Sequence, residues 1–144
     1  MRDYERLESL KAGTLSAFAL ICTYAFNAIA NSSVLAKQFE VFAPLQINTL
    51  FGLLVKFAIA FLSGFLFGVT YRYVIREDEN QHLKDGVVLA FALVRGLAPT
   101  EVESHLAFWL LGVLTIESIL CFTIARLILD WAIKNYWLKP FKSN

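Results

Sequence analysis

Four apolar stretches alternate with polar ones along the chain, and the alternation predicts the elements. Residues 12–30, AGTLSAFALICTYAFNAIA, form an uninterrupted first run. At 1.5 Å of helical rise per residue it covers about 29 Å, close to the thickness of a bilayer's hydrocarbon core. AIA at 28–30 resembles a signal-peptidase site. Signal peptides begin with net positive charge, whereas Arg2, Arg6 and Lys11 are balanced here by Asp3, Glu5 and Glu8, so a retained span is expected. Residues 31–48 read as a mixed loop, in which Val34, Leu35, Phe39, Phe42 and Leu45 would form a short interfacial helix ended near Pro44.

The second run, 49–73, carries Ala60, Gly64 and Gly68 at four-residue spacing. Small residues on one helix face let a second backbone approach closely, whether from this chain or from another copy. The third run is harder to read. GVVLAFALVRGLA, residues 86–98, is short for a crossing and contains Arg95. Asp78 and Gln81 have the spacing of a capping box. A helix from Glu79 to Ala98 would then reach about 30 Å, with a polar first turn and a half among headgroups. Pro99 would end it, and Thr100 with Glu103 would cap the fourth run, 104–129.

Four crossings give a consistent charge map. Arg2, Arg6, Lys11, Arg72, Arg76, Lys84, Lys134, Lys139 and Lys142 fall on one side, with Lys37 on the other. That asymmetry follows the positive-inside rule. A third segment that dipped in and returned would break it. Trp109 falls near the outer boundary, while Tyr71, Tyr73, Trp131, Tyr136 and Trp137 fall near the inner one. The fold expected is an all-α polytopic membrane protein, a single four-helix transmembrane bundle over 1–144. Both termini lie on the cytoplasmic or stromal side, loop 31–48 outside and the charged loop 74–85 inside.

Composition agrees. Hydrophobic residues make up 58% and charged residues 17%, against roughly 45–50% and about 25% in soluble domains. The net charge of +1 comes with no basic stripe or base-stacking motif, so nucleic acid is not an expected partner. The partners expected are the lipid bilayer and either a membrane protein or a second copy. Cys22 and Cys121 both lie in apolar runs without a CxxC or a Cys/His cluster, and read as free thiols.

The charges inside the runs carry the most information. Lys56, Arg95 and Glu117 would lie roughly 12, 5–12 and 16 Å below the outer surface by helical rise, with Asn27 in the same half. An isolated charge at a helix centre costs about 2.5–3.5 kcal/mol or more. Glu117 is therefore expected to pair with Arg95, Lys56 or both. Such a cluster either fixes the helix packing or lines a path for a proton, ion or anion. At the inner face, Arg72, Arg76, Glu77, Asp78, Glu79 and Lys84 form a compact charged hairpin that could dock a partner.

Other chemistry finds little support. Glu101, Glu103 and His105 stand at two-residue spacing and do not share a helix face. His82 and His105 fall at opposite membrane faces, so no common metal or haem is expected; either alone would be the ligand if a pigment were bound. There is no nucleophile elbow, HExxH, phosphate-binding glycine loop or dinucleotide fingerprint. No cofactor and no enzymatic activity are expected.

The stretch YRYVIREDENQHLKDGVVLAFALVRGLA, residues 71–98, resembles the signature region of small multi-pass membrane proteins from cyanobacteria and plastids. The likeness rests on Tyr71, Arg72, Tyr73, the Arg76–Asp78 run, Leu83, Lys84, Gly86 and Val94 to Leu97. It implies an oxygenic phototroph, a thylakoid or plasma membrane, and an accessory or assembly role. From the residues themselves, an accessory or scaffold protein leads, followed by a small oligomeric transporter or channel, and then a pigment-binding subunit.

Overall fold

The computed structural model describes residues 2–35, 50–76, 79–98 and 105–142. Four helices carry them: α1 (Arg2–Ala30), α2 (Leu50–Ile75), α3 (Gln81–Leu97) and α4 (His105–Lys134). A π-helical turn, Asn31–Leu35, extends α1. Among the described residues there is no strand.

Three of the helical stretches are long and apolar enough to cross a membrane: Arg2–Val34, Leu50–Ile75 and Phe108–Lys134. α3 is not one of them. It has 17 residues and opens with Gln81, His82, Lys84 and Asp85. Its start is also later than the sequence suggested. Asn80 is the N-cap, its side-chain oxygen accepting from the His82 backbone N–H at 3.0 Å, while Asp78 of the expected capping box lies outside the described residues. The Thr100–Glu103 cap and most of the expected 31–48 loop lie outside the described residues, and residues 31–35 are helical.

The helices at both ends of the chain are longer than expected. α1 begins at Arg2 because its first three turns are amphipathic: Glu8, Ser9 and Ala12 face inward. Asp3 and Glu5 in its first turn suit the positive end of the helix dipole. α4 runs on to Lys134 and closes in a Schellman motif, with Trp137 N donating to the Ala132 carbonyl at 2.9 Å and Tyr136 N to that of Ile133 at 3.1 Å. Tyr136, at φ 59, occupies the left-handed position where glycine is usual. This turn buries Leu138 and sends the tail back across the end of the bundle.

Neighbouring helices run antiparallel. α1 meets α2 from Tyr24–Phe57 at one end to Gly13–Val69 at the other, and α3 meets α4 from Asp85–Arg126 to Gly96–Thr115. The Ala60, Gly64 and Gly68 face is an internal contact with α1. A Cβ on Gly64 would stand 2.8 Å from the Ala17 Cα, and one on Gly68 would press into the Ala12 carbonyl. Gly13 answers from α1, where a Cβ would stand 2.7 Å from the Phe65 ring. α4 then covers α1 and α3 through Phe122, Ala125, Leu129 and Ala132, all fully buried.

Candidate functional site

The bundle holds polar groups at two levels, separated by an aromatic layer. At the level of the α2 start, the α3 end and the first half of α4, Lys56, Arg95 and Glu117 line one cleft of about 520 Å³. The pairing within this cleft differs from the Glu117–Arg95 or Glu117–Lys56 pair expected from the sequence. Among the described residues no ion pair within 4 Å joins Glu117 to either cation. The Asn31 amide, on the π-helical extension of α1, donates to Glu117 Oε2 at 2.9 Å instead. The physical reason is packing: α4 turns Glu117 toward α1, while Arg95 approaches from α3 across the cleft.

Arg95 rests its guanidinium over the Tyr24 ring, 5.1 Å from the centroid, a cation–π arrangement that partly replaces lost hydration. Lys56 and Arg95 both lie within electrostatic range of Glu117. Asn27, one turn before Asn31, donates to the Cys121 thiol at 3.5 Å. Both cysteines are free, Cys22 exposed and Cys121 buried.

Below the cleft, Phe67, Phe91 and Phe122 close on one another. Their ring centroids are 5.1 Å (Phe67–Phe122), 5.4 Å (Phe67–Phe91) and 5.8 Å (Phe91–Phe122) apart. Phe67 and Phe122 have no exposed surface. Phe91 and Phe122 form part of the cleft wall, so the cleft is blind on this side.

At the opposite end, which we call the base, charges are tied together within the chain. Arg72 is 1% exposed. Its Nε donates to the Lys139 carbonyl at 2.9 Å, and Nη1 donates to Ser9 Oγ at 2.6 Å and to the Glu5 carbonyl at 3.1 Å. Nη2 pairs with the Glu5 carboxylate. Glu8 accepts from the Lys139 backbone N–H at 3.0 Å and from Lys11 Nζ at 2.7 Å. A second group surrounds Asp130, which accepts from the Tyr71 hydroxyl at 2.6 Å and pairs with Lys84 at 3.5 Å. Arg126 reaches Asp130, Asp85 and Gln81.

This changes the picture of the charged hairpin. Arg72 is not on its surface; it is the most deeply placed cation of the molecule's base. Lys84 is turned inward toward α4. Arg76 and Glu79 remain exposed beside a second cleft of about 550 Å³. Glu77 and Asp78 lie outside the described residues. His82 is exposed at the base, and the His105 side chain lies outside the described residues. Among the described residues no cluster of three His, Cys, Asp or Glu side chains could hold a metal ion.

Sequence reasoning missed Glu5, Glu8, Arg126 and Asp130 as structural partners. One signal was present. Arg126 and Asp130 stand at i and i+4, as do Gln81 and Asp85, so each helix offers a polar face at its base end. No protein-family model, curated protein or solved structure matches the chain.

Proposed function

We propose that this chain is a non-enzymatic accessory, scaffold or assembly subunit of a larger membrane complex. It crosses the bilayer four times, with α3 as the short crossing and both termini on the basic, cytoplasmic or stromal side. The antiparallel run of α3 along α4 supports a fourth crossing, because Asp85 and Gly96 meet opposite ends of the same partner helix. The distribution of Lys and Arg supports the orientation.

The observation that carries the accessory reading is the aromatic layer. Phe67, Phe91 and Phe122 separate the cleft from the base, so the polar groups at the two ends do not join into a path within the protomer. A membrane subunit that holds and docks fits this arrangement better than one that conducts. The resemblance carried by residues 71–98 is what favours the thylakoid or plasma membrane of an oxygenic phototroph.

The test is mild extraction of the tagged protein from its native membrane, native separation, and identification of co-migrating chains at stoichiometric amounts. Recovery in a larger assembly is the expected result. The second reading is an oligomeric transporter, favoured by the convergence of Lys56, Arg95 and Glu117 on one cleft. Recovery as a homo-oligomer, together with ion flux in liposomes that Glu117→Gln abolishes, would establish it in place of the first.

A further inference from the structure

The blind cleft contains more charge than its own contacts use. Lys56 is exposed within it, and among the described residues no hydrogen bond or ion pair holds its ammonium. Arg95 leans on an aromatic face. Glu117 has one carboxylate oxygen engaged by Asn31. With Lys56, Arg95 and Glu117 all ionised, the site has a net charge of +1, which one monoanion neutralises.

Its walls indicate what kind of monoanion. The cleft lies where α2 and α3 diverge, since α3 packs on α4 far more extensively than on α2. Ile59 and Leu66 on α2 and Val94 on α3 line this gap, and they are 51%, 57% and 76% exposed. In a helix pair that crosses a membrane, such residues face acyl chains. A charged pocket opening sideways onto an apolar seam suits an amphiphile, and a pair of cations holds an anionic headgroup by charge-assisted hydrogen bonds. Lys56 lies six residues into α2 and Arg95 two residues before the end of α3, so both stand within roughly 10 Å of the helix ends. That is the depth of a headgroup and glycerol backbone.

We propose that the cleft binds one monoanionic glycerophospholipid from the adjacent leaflet. Its phosphate sits between Lys56 and Arg95, and an acyl chain follows the seam of Ile59, Leu66 and Val94. Asn31 holds Glu117 back from the phosphate, and Glu117 restricts the site to a single negative charge. The choice of leaflet rests on the four-crossing topology proposed above; the lipid chemistry rests on the cleft alone.

The experiment is native mass spectrometry of the full-length protein in detergent, titrated with dioleoylphosphatidylglycerol, dioleoylphosphatidylcholine or inorganic phosphate. One phosphatidylglycerol should bind at least about tenfold more tightly than phosphatidylcholine, the scale of one charge-assisted contact. Lys56→Gln should remove about that preference, and Lys56→Arg should retain it. Because no hydrogen bond or ion pair among the described residues holds Lys56, the glutamine variant should fold, and the wild-type preference stands as a readout without any variant.

Equal binding of the two lipids, or a preference unchanged by Lys56→Gln, overturns the proposal. Inorganic phosphate that displaces the lipid at equal concentration overturns the lipid assignment in favour of a simple anion site. Absence of bound phosphatidylglycerol overturns it as well. The accessory reading fails separately, through liposome flux or recovery without a partner, and neither result changes the lipid titration.

Discussion

Arg72 and Arg95 are the same side chain at opposite ends of one bundle, and they are treated in opposite ways. Arg72 directs Nε, Nη1 and Nη2 at two other chain segments: the first turns of α1 and the tail at Lys139. Arg95 lies over a tyrosine ring beside a cleft that also contains Lys56. A buried guanidinium with its donors engaged holds segments together and has nothing left to offer a ligand. One whose face is stacked and whose surroundings are hollow remains able to bind. Arg72 is buried with its donors engaged, whereas Arg95 is half-buried with open space beside it.

The largest effect should come from breaking the saturated side. Arg72→Ala leaves Glu5 without its cation and the Lys139 carbonyl and Ser9 hydroxyl without a donor. A loss of about 3–5 kcal/mol is expected for removing one partner of a buried pair. Unfolding in mild detergent, followed by circular dichroism, measures it. A loss below 1 kcal/mol, on the order of an exposed ion pair, would mean the base is not the clasp described here.

Next comes the face that brings α1 and α2 together. Gly68→Ala drives a methyl into the Ala12 carbonyl, and backbone on both sides must move. Overpacking of this kind costs typically about 1–3 kcal/mol. Gly86, which has nothing within 4 Å of a built Cβ, gives the contrasting case. Gly86→Ala should stabilise α3 by roughly 0.5–1 kcal/mol through helix propensity. If both substitutions behave alike in a thermal melt, close approach is not what the Gly68 position provides.

The unsaturated side should tolerate change. Glu117→Gln keeps an oxygen for the Asn31 amide, and Lys56→Gln removes no hydrogen bond or ion pair among the described residues, only a longer-range attraction to Glu117. Lys56→Gln, at an exposed position, should alter unfolding stability by less than about 0.5 kcal/mol, and Glu117→Gln by far less than Arg72→Ala, measured as above. A large loss at Lys56 would erase the distinction between the two ends.

How much of this was legible in the sequence follows from how local each signal is. Apolar runs and the small-residue face are local periodicities: three of the runs lie in helices long and apolar enough to cross a membrane, and Gly64 and Gly68 lie against α1. The convergence of Lys56, Arg95 and Glu117 followed from depth counting, which requires only helical rise and topology. Their pairing did not, because whether Glu117 meets Arg95 or Asn31 depends on helix rotation, which no local pattern specifies. The early start of α1 was obscured by balanced charges that read as a solvated flank; Glu8 and Ser9 are polar yet buried, since their partners come from 63 to 131 residues away. Arg72 was misplaced for the same reason. In the sequence it is one more cation of a charged hairpin, and its burial depends on a tail at residue 139.

That last dependence has a consequence in time. Synthesis proceeds from the N-terminus, so α1 and α2 exist as a pair well before Lys139 is made. During that interval Arg72 has Glu5 and Ser9 but lacks the carbonyl that completes its shell, and Glu8 lacks the Lys139 amide. The contact of α1 with α2 therefore has only part of its base clasp until the tail is present. The turn at Tyr136 is what carries Lys139 back to Arg72 and Glu8, so this clasp closes only after α4 has been made.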